Sequence, residues 1–70
     1  MKHETPVLSF IIPIHNVELY LPACLESVLY LPLTNFEIIL IDDGSTDNSG
    51  RIADKYAENY SHIHVIHQTN

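Results

Sequence analysis

The stretch "IILIDDGSTDNSG", residues 38–50, decides the fold of this 70-residue chain. Four apolar residues run directly into two adjacent carboxylates, Asp42 and Asp43. The apolar run predicts a buried strand, and the Asp, Gly, Ser and Thr residues after it are typical of a turn that leads into a helix. The stretch therefore predicts a strand, an acidic turn and a helix. Residues 42–47 are called the DDGSTD segment below.

Three stretches have the composition of strands, and the second of them includes the apolar run that precedes Asp42. Residues 7–14, VLSFIIPI, and residues 36–41, FEIILI, are apolar on both faces, which is typical of strands buried in a parallel sheet. Residues 62–67, HIHVIH, alternate in polarity and predict a third strand with one less buried face. Residues 1–6 are mostly polar, and we expect them to form a loose tail.

Helical periodicity separates these strands. Asn16 is the predicted N-cap of the first helix, with Glu18 in its first turn, and the helix should end before Pro32. Thr46 is the predicted cap of the second helix, with Asp47 in its first turn. The apolar stripe of the first helix comprises Leu21, Cys24, Leu25, Val28 and Leu29. The stripe of the second comprises Ile52, Ala53, Tyr56, Ala57 and Tyr60.

The element order is β-α-β-α-β, which predicts a Rossmann-like α/β fold with a parallel sheet and right-handed crossovers. If the strands lie side by side in chain order, both helices cover the same face of the sheet. The other face would then be bare although its strands are apolar. The chain is therefore expected to be the front part of a larger domain or to associate with itself through that face.

Charge and cysteine content exclude several classes of protein. The chain has nine acidic and three basic residues, which gives a formal net charge of −6. This balance excludes a nucleic-acid-binding protein, which needs a basic face, and docking on anionic lipid. One cysteine permits neither an internal disulfide nor a cysteine zinc site. We expect a cytoplasmic location, or the cytoplasmic membrane face for a longer protein, because signal-peptide and membrane-spanning patterns are absent from these residues.

Ligands of open parallel sheets bind beyond the carboxyl ends of the strands. Two loops lie there, PIHN at residues 13–16 and the DDGSTD segment. Alternate residues at a strand end point in opposite directions, so one of Asp42 and Asp43 can support the loop while the other faces a ligand. A purely structural turn is the alternative, because the same residue types are favoured in any strand-to-helix turn.

Three classes of nucleotide or phosphate site fit less well. A dinucleotide-binding unit needs G-x-G-x-x-G after the first strand, where this chain has PIHNVE without a glycine. A phosphoacceptor receiver domain carries its acidic pair after the first strand rather than the second. The P-loop signature is absent from the sequence.

The combination of "LSFIIPIHNVELYLPACLESVL", "FEIILIDDGSTDNSGRIADKYA" and "IHVIHQTN" resembles the N-terminal part of a family 2 glycosyltransferase of the GT-A fold. The resemblance covers residues 7–70, which would form a partial nucleotide-binding subdomain. It implies transfer of a sugar from a nucleotide-diphospho-sugar, commonly a UDP-sugar, to a hydroxyl of an acceptor saccharide or lipid-linked glycan.

The resemblance also implies a set of nucleotide-binding residues, namely Pro13, His15, Asn16, Glu18, Asp42 and Asp43. Asp43 matches the family aspartate that accepts a hydrogen bond from the uracil ring N–H, and a carboxylate suits that role because it only accepts. Asp42 would support Asp43. His15 is a departure, because this position more often carries a tyrosine that lies against the base.

Two parts of the reaction are expected outside this chain. The family holds a divalent metal, Mn²⁺ or Mg²⁺, with a D-x-D motif that these residues lack, and its catalytic base lies further along. We therefore expect no catalytic residue and no metal ligand here, and an inactive chain by itself. The alternative function is a non-catalytic interaction module that associates through the uncovered sheet face.

The remaining candidate residues have structural interpretations. His62, His64 and His67 could suggest a metal cluster, but His67 has the opposite strand parity, which favours a solvated strand edge. Cys24 is predicted to lie in the core because it belongs to the apolar stripe. Asp54 is predicted to lie on an ordinary solvated helix face.

Overall fold

The computed structural model describes residues 8–69, which form a three-stranded sheet and two helices. The elements in chain order are β1 (Leu8–Ile14), α1 (Leu21–Leu29), β2 (Phe36–Asp43), α2 (Ser49–Asn59) and β3 (Ile63–Gln68). The predicted β-α-β-α-β order is confirmed. The predicted tail, residues 1–6, and residue 7 of the first predicted strand lie outside the described residues.

The sheet is parallel, with the strands in the order β1-β2-β3. In the register of the sheet, Ile14 pairs with Asp42, and Asp42 pairs with His67. Paired residues of a sheet share a face, so these three side chains lie on the same side at the carboxyl edge. Register thus brings the first aspartate of the DDGSTD segment beside a histidine of β3.

Both helices cover one face of the sheet. Alternate strand residues point to that face, and α1 and α2 contribute Leu21, Leu25 and Ala53 to the same cluster. Leu25 and Ala53 are fully buried. The buried apolar residues are Ile14, Leu21, Leu25, Ile38, Leu40, Ala53 and Ile63.

The other face of the sheet carries a contiguous apolar surface and is uncovered by any described element. Ile11 keeps 62% of its surface exposed and Ile66 keeps 50%. Register lines up Ile11 with Ile39, and Pro13 with Ile41 and Ile66. This surface, called the bare face below, comprises Ile11, Pro13, Ile39, Ile41 and Ile66. The strands lie side by side in chain order, which is the condition under which both helices were expected on one side of the sheet, and both helices lie there.

The first helix begins later than its sequence predicts. It starts at Leu21 with Tyr20 at the N-cap, so Asn16 is not the cap and Glu18 is not in the first turn. Asn16 has a φ of 52°, in the left-handed region, and the backbone N–H groups of Tyr20 and Leu21 both bond to the Val17 carbonyl. A turn therefore precedes α1. The helix ends at Leu29, before the proline, as predicted.

The second helix and its strand also differ from expectation. β2 continues through Asp43, so the acidic pair belongs to the strand rather than to the turn. Gly44 then turns the chain with a φ of 67°. α2 begins at Ser49 after Asn48, so the prediction that Thr46 caps the helix is wrong. The cause is a set of long-range hydrogen bonds in which Thr46 takes part.

The prediction that Cys24 is a core residue is also wrong, because Cys24 is exposed. It lies at the margin of the α1 stripe, where the helix borders the edge strand β1, and it lines a small apolar groove with Ile12, Pro13 and Val17. Leu21 and Leu25 are the stripe residues that reach the centre of the core.

Candidate functional site

Two loops meet at the carboxyl edge, and Asn16 joins them. The loop between β1 and α1 carries Asn16, whose Oδ1 accepts hydrogen bonds from the backbone N–H groups of Thr46 at 2.8 Å and Asp47 at 3.2 Å. The Thr46 hydroxyl donates to the same oxygen at 3.3 Å. In return, the Asn16 N–H donates to Ser45 Oγ at 3.1 Å. The asparagine therefore fixes the DDGSTD segment from outside, instead of capping its own helix.

Glu18 and Asp47 form a second link between the loops. The Glu18 N–H donates to Asp47 Oδ2 at 3.1 Å, and Glu18 accepts from the Asn48 side chain at 3.3 Å. Asp47 Oδ1 accepts from the first helical N–H, that of Ser49, at 2.9 Å. Partial burial raises the pKa of Asp47, but the hydrogen bonds from Ser49 and the backbone outweigh it and lower the pKa overall. Asp47 thus serves the start of α2 in the ionised form.

Asp42 is the buried member of the acidic pair, with 7% of its surface exposed. Its Oδ1 accepts from the Ser45 N–H at 3.1 Å, and its Oδ2 lies 2.8 Å from His67 Nδ1. Burial of the carboxyl raises its pKa, but the hydrogen bonds from Ser45 and His67 outweigh burial and lower the pKa below its ordinary value. The side chain on the helix face of the strand therefore supports the loop.

Asp43 follows on the opposite face of β2 and is half-buried. Its Oδ1 accepts from Gln68 Nε2 at 3.2 Å, and its Oδ2 accepts no hydrogen bond from any residue in the range 8–69. Its backbone oxygen lies 2.7 Å from His15 Nδ1, so a protonated Nδ1 donates to it. A rigid central strand thus holds one carboxylate oxygen available at the carboxyl edge.

The six candidate residues lie in four separate places. Asn16 and Glu18 line a cleft with Asp47, whereas His15 contacts Asp43. A second open cleft of about 500 Å³ lies at the ends of β2 and β3, and its lining residues are Asp42, Gly44, Ser45, His67, Gln68 and Thr69. Pro13 lines the apolar groove beside α1 and makes no polar contact with the loops among the described residues.

Sequence reasoning missed two residues, His67 and Asp54. His67 lies between Asp42 and Asp54, with its Nε2 at 2.8 Å from Asp54 Oδ1. The other two histidines have different surroundings: His64 is 3.7 Å from Glu37, on the opposite side of the sheet. His67 is separated from Ile63 and Val65 by an even number of positions, so the alternation of the strand places all three side chains on one face. This was the feature of the sequence that could have revealed it. It predicts a side chain on the helix face, where Asp42 also points.

Within the range 8–69, no three His, Cys, Asp or Glu side chains are grouped so that they could hold a metal ion. The carboxylates at the carboxyl edge also do not suit a divalent cation. Asp42 is already shared between Ser45 and His67, and Asp43 accepts from Gln68. These residues therefore do not fit a metal-dependent chemical step. In the same part of the chain, no helix is long and apolar enough to cross a membrane.

The parallel sheet and the two helices define a Rossmann-like α/β unit. In open sheets of this class, the carboxyl edge is where ligands bind. The family described as "Glycosyl transferase family 2" matches residues 9–70. Because the match spans nearly the whole chain, the chain belongs to glycosyltransferase family 2.

Curated relatives carry glycosyltransferase names. The "Uncharacterized glycosyltransferase YibD" of Escherichia coli (strain K12) is 49% identical over 70 residues, which is 100% of this chain and 20% of the relative. The "Uncharacterized glycosyltransferase EpsJ" of Bacillus subtilis (strain 168) is 46% identical over 93% of this chain and 19% of the relative. "Glycosyltransferase GlyG" of Streptococcus pneumoniae (serotype 4) is 45% identical over 91% of this chain and 21% of its own length. The chain thus spans about a fifth of these relatives.

Proposed function

We propose that residues 7–70 are the nucleotide-binding subdomain of a GT-A glycosyltransferase that transfers a sugar from a UDP-sugar to an acceptor hydroxyl. The observation that carries the proposal is the position of Asp43 at the end of the central strand, where its Oδ2 accepts no hydrogen bond from residues 8–69. A uracil ring presents an N–H between two carbonyl oxygens, and an ionised carboxylate only accepts, so the two are complementary. Family membership supports the same activity.

The other candidate residues have supporting roles in this proposal. Asn16 and Glu18 join the two loops that would flank the nucleotide. Asp42 supports the strand end beneath Asp43, and His15 contacts the Asp43 backbone, close enough for its ring to lie against a base. Pro13 lies one residue before the end of the strand pairing, at Ile14, and has no N–H to donate to the sheet.

The proposal assigns the rest of the reaction to residues outside this chain. A divalent metal, Mn²⁺ or Mg²⁺, would meet the negative charge of the diphosphate leaving group, and a catalytic base would deprotonate the acceptor hydroxyl. The acceptor would be a saccharide or a lipid-linked glycan. The proposed location is the cytoplasm or its membrane face, where nucleotide sugars are available.

Replacing Asp43 by alanine is expected to weaken UDP binding by about tenfold or more, because a hydrogen bond to a charged group contributes about 1.5–3 kcal/mol. The measurement is a calorimetric titration of UDP with Mn²⁺ into the 70-residue chain. Glu58→Ala is the matched control, since it removes the same charge from an exposed position on α2. Equal affinity of the Asp43→Ala and wild-type chains would contradict the assignment.

The nucleobase provides a second control on the same site. Cytosine presents a ring nitrogen that accepts where uracil has an N–H, so the Asp43 carboxylate would face another acceptor. CDP should therefore bind more weakly than UDP to the wild-type chain, and the Asp43→Ala variant should lose this preference. A wild-type chain without preference between the two bases argues against base recognition by Asp43.

A second candidate function, self-association of a non-catalytic module, is favoured by the bare face. Parallel sheets are ordinarily covered on both sides, whereas Ile11 and Ile66 are at least half exposed here. Light scattering should then show a dimer that dissociates when Ile11 or Ile66 is replaced by lysine. A wild-type chain that stays monomeric at high concentration removes this candidate.

A further inference from the structure

His67 joins three elements at the edge of the proposed site. It lies on β3, its Nδ1 is 2.8 Å from Asp42 Oδ2 on β2, and its Nε2 is 2.8 Å from Asp54 Oδ1 on α2. Each ring nitrogen therefore faces a carboxylate oxygen at the distance of a charge-assisted hydrogen bond. The ring thus bridges the central strand to the helix that follows the DDGSTD segment.

The two contacts determine the protonation state of the ring. Ionised carboxylates only accept hydrogen bonds, and a neutral imidazole has one donor nitrogen and one acceptor nitrogen. Only the imidazolium can donate to Asp42 and Asp54 at the same time. In agreement, the hydrogen bonds to Asp54 and then Asp42 raise the pKa of His67 above its ordinary value.

No other charged group among the described residues competes for this bridge. On β3 itself, His64 points to the opposite face and pairs with Glu37. On α2, Arg51 and Lys55 form no ion pair with either aspartate within the range 8–69. The positive charge between Asp42 and Asp54 therefore comes from His67.

The bridge extends to both loops through Asp42. While Oδ2 contacts His67, the other oxygen of Asp42 accepts from the Ser45 N–H at 3.1 Å. The Ser45 hydroxyl in turn accepts from the Asn16 N–H at 3.1 Å. A continuous path of hydrogen bonds thus runs from β3 to the loop that follows β1.

A glycine on α2 leaves room for this arrangement. A Cβ atom at Gly50 would lie 2.6 Å from Asp42 Oδ2 and 3.4 Å from His67 Cε1. Glycine is otherwise unfavourable inside a helix by about 1 kcal/mol relative to alanine. Its presence at this point is explained by the close approach of the carboxylate and the imidazole ring.

We propose that His67, in its imidazolium form, is a positioning residue that holds Asp42, and with it the DDGSTD segment, in the arrangement that presents Asp43 to the nucleotide. The nucleotide part of this inference rests on the proposed function. The positioning part concerns only the geometry of the segment and can be tested without ligand. Loss of the proton leaves one ring nitrogen facing a carboxylate as an acceptor, so one arm of the bridge opens.

The first test is an NMR titration of the ligand-free 70-residue chain. The His67 ring signal should titrate with a midpoint above 6.5, and the Ser45 amide should shift with the same midpoint. Asp54→Asn removes one carboxylate outside the DDGSTD segment and should lower that midpoint while the fold is retained. A His67 midpoint at or below 6.5, or a Ser45 amide that does not follow it, overturns the positioning role.

The second test is the pH dependence of UDP binding in the presence of Mn²⁺. Because the pKa of His67 is raised, the bridge is complete below its ordinary pKa and is lost as the pH rises through the raised value. The affinity of the wild-type chain for UDP should therefore fall, by about threefold or more, over the pH range of the His67 titration. The His67→Gln variant should bind UDP more weakly, and its affinity should not fall over this pH range. The His64→Gln variant, which is altered on the other face of the sheet, should show the same fall in affinity as the wild-type chain.

The two tests separate the two ideas. If UDP binds and its affinity is independent of pH across the His67 titration, the positioning proposal is overturned and the nucleotide site stands. If UDP binds at no pH while the Ser45 amide follows His67, the nucleotide site fails and the positioning of the segment stands. Should His67→Gln not fold, the Asp54→Asn variant still tests the positioning role. Its affinity for UDP must fall at a lower pH than that of the wild-type chain.

Discussion

Replacing Asp42 by alanine is expected to lower the free energy of unfolding by about 2–3 kcal/mol, the contribution of hydrogen bonds to a charged group. The side chain is 7% exposed, so the Ser45 N–H and the His67 ring lose a partner that water cannot fully replace. For a domain of this size, that loss corresponds to a fall in melting temperature of roughly 8–24 °C. Thermal unfolding followed by circular dichroism at neutral pH measures it.

The comparison with the neighbouring aspartate makes this result informative. Asp43→Ala should change the melting temperature little, because within residues 8–69 the Asp43 side chain makes one hydrogen bond, to the exposed Gln68. The two variants should therefore separate, with Asp42→Ala affecting mainly stability and Asp43→Ala mainly UDP affinity. Equal melting temperatures would contradict the view that the first aspartate supports and the second binds.

Acid provides an independent check on the role of Asp42. Its pKa lies below the ordinary value of 3.8, so its ionised form stabilises the fold above that pH. This contribution is lost as the pH falls through the lowered pKa. The difference in melting temperature between wild type and Asp42→Ala should therefore shrink below pH 3.8. A difference that persists unchanged at lower pH would mean that packing, rather than charge, accounts for the effect.

The architecture was predictable from the sequence because burial in a parallel sheet imposes a local pattern. The apolar run that ends at Asp42 and the helical spacing of Leu21 and Leu25 each follow from which face of an element is covered. These patterns involve residues close in sequence. The order of the elements along the chain and the opposite directions of Asp42 and Asp43 could therefore be inferred without coordinates. The shared side of both helices followed only on the condition that the strands lie in chain order, which the structure fulfils.

The ends of the helices were not predictable in the same way. Asn16 has the composition of a local cap, but its oxygen bonds to Thr46 and Asp47, thirty residues away, and its own helix starts five residues later. The composition of Thr46 predicts a helix cap for the same reason, but its hydroxyl donates to the same distant oxygen of Asn16. The propensity of a residue type describes the hydrogen bonds that its side chain can form with nearby backbone groups. It does not show which group, distant in sequence, will form a hydrogen bond with that side chain instead.

The bridge at His67 shows the same limit at the site. The parity of the residue indicated the correct face, but its two partners come from β2 and α2, which only the tertiary structure brings together. Asp54 has the sequence features of a solvated helix residue because its partner belongs to a later strand. The family resemblance also gave no indication of this pair, since it concerned the residues that would touch the nucleotide.

Replacing Asn16 by alanine is expected to lower the free energy of unfolding by about 1–2 kcal/mol and to weaken UDP binding. Its Oδ1 accepts three hydrogen bonds from Thr46 and Asp47, each worth about 0.5–1.5 kcal/mol. Exposure of the loop lets water replace part of this contribution. Alanine also tolerates the observed φ of 52° poorly, whereas asparagine adopts it readily. Denaturant unfolding and UDP titration measure the two effects.

Asn16→Gly separates the two causes, because glycine adopts a positive φ without strain but has no side-chain oxygen. If the hydrogen bonds dominate, the glycine and alanine variants should be destabilised by similar amounts, and both should bind UDP weakly. If the backbone conformation dominates, the glycine variant should recover most of the stability. Asn16→Asp retains an acceptor oxygen but adds a negative charge beside Asp47, so it should recover the hydrogen bonds only in part. Wild-type UDP affinity in all three variants would show that the link between the loops has no part in presenting Asp43.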